Sequence, residues 1–145
     1  MAQTKINKRV GKVFTGMHGR LYKASGGKIG RGKKEGSEII LLATTGRKSG
    51  KTRQQPIVGG NHPDGWVAIA SYSGHDEHPA WYLNLTETPE ATVTAGNNTH
   101  PVRARIVEGD ERSELWDGMV ATYADFAEYQ QVTDRDIPVL VLERI

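Results

Sequence analysis

The sequence predicts a mainly β, α+β domain in which about six short, mostly antiparallel strands form a small barrel with appended helices. Short β-rich runs bounded by turn residues recur along residues 37–145. They do not alternate with helical patterns as a parallel Rossmann sheet requires. Two helical patterns interrupt them instead. A chain of 145 residues is long enough for one domain with a substantial core.

The candidate strands are apolar or β-branched runs that end at turn residues. They are Glu38–Thr45, Thr52–Gly59, Gly65–Ser71, Ala91–Ala95, Pro101–Val107 and Ile137–Arg144. The turn cluster Asn61–Gly65 predicts a hairpin between the second and third strands. In the fifth strand, Val102, Ala104 and Ile106 alternate with arginines. Because side chains alternate across a strand, these three residues are predicted to face the core.

Two helices are predicted between the strands. The first, His78–Thr86, is short and aromatic, with Pro79 at its first position, where the missing N–H of proline costs little. The second, Asp110–Tyr123, begins with acids, which suit a helix N-terminus. Its predicted buried side carries Leu115, Trp116, Met119, Val120 and Tyr123.

Residues 1–36 differ in charge from the rest of the chain. They hold ten lysines and arginines and one acid, whereas residues 37–145 hold nine bases and sixteen acids. Apolar residues recur there every three or four positions, at Ile6, Val10, Val13, Phe14, Met17 and Leu21. This pattern predicts a basic amphipathic helix that either lies on an anionic membrane surface or packs on the domain. A Gly/Lys-rich linker follows, so we divide the chain into residues 1–36 and a barrel domain at 37–145.

Composition excludes several classes of function. The chain has no cysteine, which excludes disulfides, thiol catalysis and thiolate metal sites. No apolar run reaches the roughly 18 residues of a transmembrane helix, and the start lacks a signal-peptide core. The bases are not spread as in a nucleic-acid-binding surface. We therefore expect a cytoplasmic monomer without nucleic acid, with peripheral contact on the inner face of the cell membrane left open.

The segment Gly46–Arg53, here called the basic turn, lies between the first two predicted strands. Arg47, Lys48, Lys51 and Arg53 surround its glycines, and the segment contains no acid. Turn amides combined with guanidinium and ammonium groups form sites for phosphate or carboxylate. The alternative is a solvated hairpin tip. Because the surrounding domain is acidic, an isolated group of bases favours docking of a small anionic ligand.

A second segment joins the end of the third strand to the first helix. The strand ends in the small and hydroxylic residues Ala70–Gly74, which let a ligand approach the backbone closely. Trp81 and Tyr82 could wall a flat ring, and Asn84 offers both a donor and an acceptor. Core packing of these aromatic residues is the alternative interpretation.

His75 and His78, with Asp76 and Glu77, resemble part of a metal site. A third ligand at suitable spacing is missing, so we expect solvated loop residues and no metal.

A third segment spaces Tyr123, Phe126 and Tyr129 at i, i+3 and i+6. Helical turns would stack these rings along one side, either in the core or as a wall over a planar cofactor. No nucleophile–base pair stands out. A basic groove with aromatic residues and few acid–base groups fits redox chemistry, in which a bound cofactor performs the reaction.

Taken together, these segments resemble the deazaflavin-dependent nitroreductase family, the coenzyme F420H2-dependent reductases. The resembling residues are Thr44–Arg53, Ala70-Ser71, His78–Leu85, Tyr129-Gln130 and Thr133–Val139. The resemblance implies a split β-barrel of the FMN-binding-like superfamily that binds F420 in a groove. It also implies hydride transfer from F420H2 to a quinone, an enone or unsaturated lactone, or a nitro compound. FMN is the alternative cofactor, and a non-catalytic F420- or FMN-binding protein is the alternative function.

The resemblance also assigns site residues. Contacts to the phosphate and polyglutamate tail fall on Arg47, Lys48, Ser49, Arg53, Gln54, Gln55, Pro56, Ile57 and Val58. Contacts nearer the deazaflavin fall on Ile69, Ala70, Ser71, Tyr72, Ala80, Trp81, Tyr82, Leu83 and Asn84. The acceptor pocket falls on Tyr123, Phe126 and Tyr129. Catalytic roles are implied for Ser71, which would position the ring, and for Tyr123 or Tyr129, which would hydrogen-bond the acceptor or supply a proton.

Two positions depart from the family pattern. Tyr72 stands where a lysine often follows the serine, and Phe126 stands where nitroimidazole-activating members carry a tyrosine. The missing hydroxyl of Phe126 predicts weak turnover of nitroimidazoles.

Overall fold

A computed structural model of the protein describes residues 36–145. The predicted basic helix and linker therefore lie outside the described residues, and their membrane contact stays a prediction. The described part contains six strands and three helices, with bounds β1 Ser37–Thr45, β2 Thr52–His62, β3 Gly65–Ile69, α1 Ala80–Glu87, β4 Glu90–Ala95, β5 Asn98–Ile106, α2 Gly109–Thr122, α3 Asp125–Gln131 and β6 Val139–Arg144.

The strands form a closed antiparallel barrel in the order β1-β2-β3-β6-β5-β4. This confirms the predicted fold class and all six strands, although several ends differ. The β2–β3 hairpin is tighter than expected, because β2 continues to His62 and leaves only Pro63 and Asp64 in the turn. Strand β5 begins at Asn98, three residues before the predicted start at Pro101, which lies within the strand opposite Thr92.

Two large apolar cores stabilise the barrel, and a small third cluster consists of Ile39 and Leu41 packed with Val58. The first fills its interior, and the second lies between its outer face and helices α2 and α3. Strands β3 and β6 separate the two cores and are buried on both faces. Their alternate residues therefore point to different cores: Trp66, Ala68, Leu140 and Leu142 to the inner one, and Val67, Ile69, Val139 and Val141 to the outer one. This double burial explains why both strands are continuous apolar runs.

Helix α2 confirms the predicted apolar side. Met119 is buried in the outer core, and Leu115, Trp116, Val120 and Tyr123 pack against it. The prediction for Ile106 was wrong: Val102 is fully buried, but Ile106 is 46% exposed. Ile106 is the last residue of β5 and pairs with Leu140 of β6, so the alternation continues to the end of the strand although burial does not.

The prediction that Pro79 takes the first helical position was also wrong. Pro79 is the N-cap of α1, with an extended ψ of 151°, and its carbonyl accepts the amides of Tyr82 and Leu83. Within residues 36–145, none of the helices has the length and apolar character needed to span a membrane.

Candidate functional site

The basic turn closes the β1–β2 hairpin, whose last pair is Thr45 and Thr52. The Gly46 N–H donates to the Lys51 carbonyl at 2.8 Å, and the Gly50 N–H donates to the Gly46 carbonyl at 2.8 Å. Gly50 has a φ of +71°, a conformation in which glycine is favoured because it has no Cβ. The turn is therefore closed by its own backbone and leaves its side chains to the outside.

The four bases of the turn are available to an anion. Arg47, Lys48, Lys51 and Arg53 are all exposed. Among residues 36–145, the ion pairs within 4.0 Å involve other side chains and none of these four. A group of exposed cations without carboxylate partners fits the anionic tail of a cofactor such as F420.

Asn84 joins this turn to α1. Its Oδ1 accepts the backbone N–H of Arg47 at 3.1 Å and the Nη1–H of Arg47 at 3.2 Å. Its Nδ2 donates to the Thr44 hydroxyl at 3.0 Å. Asn84 and Thr44 are both buried, so these bonds fix where the basic turn starts. The predicted direct contact of Asn84 with the cofactor stays a prediction.

The rest of α1 divides into a buried and an accessible side. Trp81 and Leu85 lie in the inner core, so the core-packing interpretation holds for Trp81. Ala80 is exposed, whereas Tyr82 and Leu83 are half-buried. Of the cofactor contacts predicted on α1, these three have side chains that offer surface to a cofactor.

The second strand of the hairpin contributes the predicted segment from Gln54 to Val58. Gln54 is exposed and the other four residues are half-buried. Ile57 packs against the inner core and Val58 against the outer one. The polar end of this segment therefore continues the basic turn, while its apolar end belongs to the barrel wall.

The segment Ala70–His75, here called the Ser71 loop, follows β3 directly. Ile69 and Ala70 are buried, whereas Ser71 and Tyr72 are half-buried. Within the described part of the chain, the Ser71 hydroxyl has no hydrogen-bond partner and makes no cap bond. A half-buried hydroxyl without a partner can hydrogen-bond a bound ring.

Tyr72, Ser73 and Gly74 all adopt left-handed backbone conformations, with φ values of 46°, 53° and 77°. Such conformations are unfavourable for residues that carry a Cβ. They persist where surrounding structure enforces them, which is frequent at functional sites.

The rings of Tyr123, Phe126 and Tyr129 form a row over the outer core. The ring centroids of Tyr123 and Phe126 are 5.0 Å apart, and those of Phe126 and Tyr129 are 6.3 Å apart, both edge-on. Phe126 is 4% exposed, so its ring supports the two tyrosines from within the core. Tyr123 and Tyr129 are half-buried and are the members that can meet an acceptor.

The two tyrosines are held in their neutral form. Burial raises the pKa of Tyr123, and nearby Tyr129 and Asp125 raise it further. Burial also raises the pKa of Tyr129, although hydrogen bonds with Tyr123 and Ser73 oppose this. Each phenol thus keeps its proton at neutral pH and can donate a hydrogen bond.

His75 is the last residue of the Ser71 loop and His78 follows it, and both are less solvated than predicted. His75 is buried, and its Nδ1 accepts the Glu77 N–H at 3.2 Å. The expectation of a solvated residue was wrong for His75, because its ring packs against Tyr72. Burial, and then the charge of Arg135, lower the pKa of His78. Within residues 36–145, no three histidines or carboxylates are grouped to hold a metal ion.

Sequence reasoning assigned no role to Arg135, which the structure places under the Ser71 loop. Its guanidinium donates to the carbonyls of Ala70, Ser71 and His75. The residue lies in a polar run between α3 and β6, where nothing in the residue pattern distinguishes a buried arginine from a solvated one. The resemblance of residues Thr133–Val139 to the family pattern was the one signal that pointed to this segment.

A closed six-stranded barrel, with a basic turn on one hairpin and aromatic helices on its outer face, defines a protein of the split-barrel class. The model of the F420H(2)-dependent quinone reductase family matches residues 15–144. The chain therefore belongs to this family of F420H2-using oxidoreductases, as the resemblance implied.

Curated relatives agree with this assignment. The Mycobacterium tuberculosis protein Rv3178, which carries the family's name provisionally, is 36% identical over 115 residues that cover 79% of this chain and 97% of Rv3178. The F420H(2)-dependent quinone reductase Rv1261c of the same organism is 29% identical over 142 residues, covering 96% of this chain and 95% of that protein.

Solved structures also match. An F420-H2 dependent reductase, FDR-A, has a TM-score of 0.67 and 40% identity, over 72% of this chain and 93% of its own. A protein solved as a domain-swapped dimer has a TM-score of 0.68 and 40% identity, over 72% of this chain and 79% of its own. The expectation that the present chain is a monomer stays a prediction.

Proposed function

We propose that this protein is an F420H2-dependent reductase whose acceptor is a quinone, and that the basic turn binds the anionic tail of F420. The observation that carries the proposal is the exposed basic turn, whose bases have no carboxylate within 4.0 Å among residues 36–145. Asn84 anchors this turn to the helix that follows the Ser71 loop. Family membership supports the choice of cofactor. The tail-contacting residues proposed are Arg47, Lys48, Ser49, Arg53 and the strand from Gln54 to Val58.

When bound, F420H2 supplies a hydride. Reduction of a quinone to a hydroquinone needs a proton as well as this hydride. The chain would orient the reactants, and Tyr123 or Tyr129 would pass the proton to the quinone oxygen and regain it from solvent. We assign to the Ser71 hydroxyl a hydrogen bond that orients the deazaflavin ring. Tyr123 and Tyr129, whose raised pKa values keep them protonated, would hydrogen-bond a quinone oxygen and exclude water from it.

The predicted acceptors other than quinones stay proposals. An enone or unsaturated lactone presents the same kind of carbonyl to the two phenols. Phe126 cannot donate a hydrogen bond and is almost entirely buried. We therefore expect nitroimidazoles to be poor substrates compared with quinones.

The cellular setting is also a proposal. We place the enzyme in the cytoplasm, with residues 1–36 making peripheral contact with an anionic membrane that holds a lipid-soluble quinone. Co-sedimentation with anionic vesicles, compared between the full chain and a chain that begins at Gly36, tests this contact. Equal binding of the two chains would show that residues 1–36 do not contribute to the membrane contact.

The decisive experiment has two stages. A titration first measures binding of F420 and, separately, of FMN to the full chain. Loss of F420H2 absorbance is then followed after addition of a soluble quinone. We expect tight binding of F420 and oxidation of F420H2 that depends on the quinone. Binding of F420 without turnover on any quinone, enone or nitro compound would instead support a cofactor-binding protein, and binding of FMN alone would exclude the proposal.

A further inference from the structure

Arg135 is bonded to the backbone of the Ser71 loop at three points. Its Nε–H donates to the His75 carbonyl at 2.7 Å, one Nη2–H donates to the Ser71 carbonyl at 2.7 Å, and Nη1–H donates to the Ala70 carbonyl at 3.1 Å. Nη1 also lies 3.3 Å from Nδ1 of His78. A planar guanidinium offers five donors in a fixed arrangement, so these contacts set the path of the loop on both sides of its left-handed residues.

The loop needs an external support of this kind. Tyr72 and Ser73 have positive φ values, and the amides of Gly74 and His75 close the turn on the carbonyls of Ser71 and Tyr72 at 2.9 and 3.0 Å. Both of these bonds are local to the turn. Arg135 adds a second donor to the Ser71 carbonyl and also bonds to the carbonyls of Ala70 and His75 at the two ends of the loop.

Arg135 is itself held from α3. The Gln130 side chain donates from Nε2 to the Arg135 carbonyl at 2.8 Å and accepts the Ile137 N–H at 3.1 Å. The Thr133 hydroxyl donates to Asp76 at 2.9 Å, beside the Ser71 loop. Helix α3 also carries Tyr129. A Cβ on Gly74 would stand 2.6 Å from the Tyr129 carbonyl oxygen, so the loop and α3 are in close contact.

We propose that Arg135 is a positioning residue that fixes the Ser71 loop relative to Tyr129, and so aligns the cofactor side of the site with the acceptor side. The inference rests on the proposed function for its catalytic consequence, but the geometry of the loop can be measured without cofactor. Alignment of this kind affects turnover more than affinity, because the basic turn holds the anionic tail elsewhere.

The first test measures the loop directly. Amide hydrogen exchange of Gly74 and His75 is compared in the full chain, in Arg135→Ala and in Arg135→Lys. The matched control is Arg112→Ala. Arg112 is also half-buried and donates Nη2–H to one carbonyl, that of Ile137, at 2.7 Å, and it lies over Trp116.

We expect the two amides to exchange at least about tenfold faster in both Arg135 variants. Exchange in the barrel strands should be unchanged, and Arg112→Ala should leave the two amides as they are. Lysine keeps the charge but not the fixed fork of donors. Arg135→Lys therefore tests the geometry even if Arg135→Ala does not fold.

The second test measures catalysis. With F420H2 and a soluble quinone, kcat should fall at least about tenfold in both Arg135 variants, while the Kd for F420 changes less than about threefold. Low concentrations of guanidinium ion should restore part of the kcat of Arg135→Ala and none of that of Arg135→Lys. Arg112→Ala should keep kcat within about threefold of the unsubstituted protein.

Unchanged exchange of Gly74 and His75 in Arg135→Lys would overturn the inference, as would a kcat within about threefold of the original. Equal losses of kcat in Arg135→Ala and Arg112→Ala would also overturn it, because they would report general destabilisation. If the unsubstituted protein oxidises no F420H2 with any quinone, the proposed function fails. The exchange rates then decide the role of Arg135 in the loop independently.

Discussion

The basic turn and the Ser71 loop both follow a barrel strand and both contain a glycine with positive φ, yet they use arginine in opposite ways. Arg47 and Arg53 are exposed, and no carboxylate among the described residues lies within ion-pairing distance of them. Arg135 is half-buried and has three backbone carbonyls as partners. The bases of the turn therefore remain available to a ligand. The guanidinium of Arg135, in contrast, is used within the protein to hold the left-handed backbone of the Ser71 loop.

We therefore expect the basic turn to determine the affinity for the cofactor and the Ser71 loop to determine its alignment with the acceptor. Substitutions in the turn should change how tightly an anion binds and leave the fold intact, because its side chains point to solvent. Substitutions in the loop should change stability and turnover, because its neighbours are packed backbone. Four experiments test this division, from the largest expected effect to the smallest.

The glycines of the two regions provide the most sensitive comparison. In Gly74→Ala the new Cβ would meet the Tyr129 carbonyl oxygen at 2.6 Å and would also contact Val132, at a φ of +77°. We expect a loss of about 3 kcal/mol or more in the free energy of unfolding. Gly50→Ala has a similar φ of +71° but nothing within 4 Å, so it should lose only about 1–2 kcal/mol. Urea unfolding measures both, and equal losses would contradict the division.

Removal of charge from the basic turn should act on binding alone. Lys48→Ala combined with Arg53→Ala should raise the Kd for F420 about 100-fold, because charge-assisted hydrogen bonds are among the stronger ones. The unfolding midpoint should be nearly unchanged. Arg103→Ala is the control, since Arg103 is an exposed arginine on β5. Added salt should weaken binding by the unsubstituted protein, and an unchanged Kd in the double variant would remove the turn from the site.

Asn84 joins the basic turn to α1, so its loss should lower both stability and cofactor affinity moderately. Asn84→Ala removes the partners of Arg47 and leaves the buried Thr44 hydroxyl without its hydrogen bond. We expect a loss of about 1–3 kcal/mol in the free energy of unfolding and a Kd for F420 that rises about tenfold. Asn98→Ala, at an exposed position of β5, should do neither. A wild-type Kd in Asn84→Ala would show that the turn keeps its shape alone.

The smallest effect concerns pH. Burial and the Arg135 charge lower the pKa of His78 below its ordinary value of 6.5. The unfolded chain therefore binds a proton on His78 more readily than the folded protein does. The contribution of neutral His78 to the free energy of unfolding is complete above pH 6.5 and is lost as pH falls below that value. His78→Gln should consequently lose less stability than the original protein between pH 7.5 and 5.5, as measured by urea unfolding. Equal losses would show that folding does not lower the pKa of His78.

Much of the fold could be predicted from local patterns. The six strands, the β2–β3 hairpin and the apolar side of α2 follow from alternation, turn residues and helical spacing, which are properties of neighbouring residues. The errors lie at the ends of elements: Pro79 caps α1 instead of starting it, and Ile106 follows the apolar alternation of β5 yet is exposed at the end of the strand. Neither residue carries a local signal for the end of an element, because that end depends on what packs against it.

The sequence by itself determined the basic turn, since four bases on a short glycine-bounded hairpin are exposed in any arrangement of the barrel. Its spacing also predicted that Tyr123, Phe126 and Tyr129 share one side of a helical segment, and the family resemblance assigned them to the acceptor pocket. Only the tertiary structure decided that Phe126 and Trp81 are core residues, that Asn84 holds the turn, and that Arg135 holds the Ser71 loop. These roles depend on burial and on partners that are between 37 and 65 positions away along the chain. A buried arginine and a solvated one look the same in a sequence, because the carbonyls that distinguish them come from a distant segment.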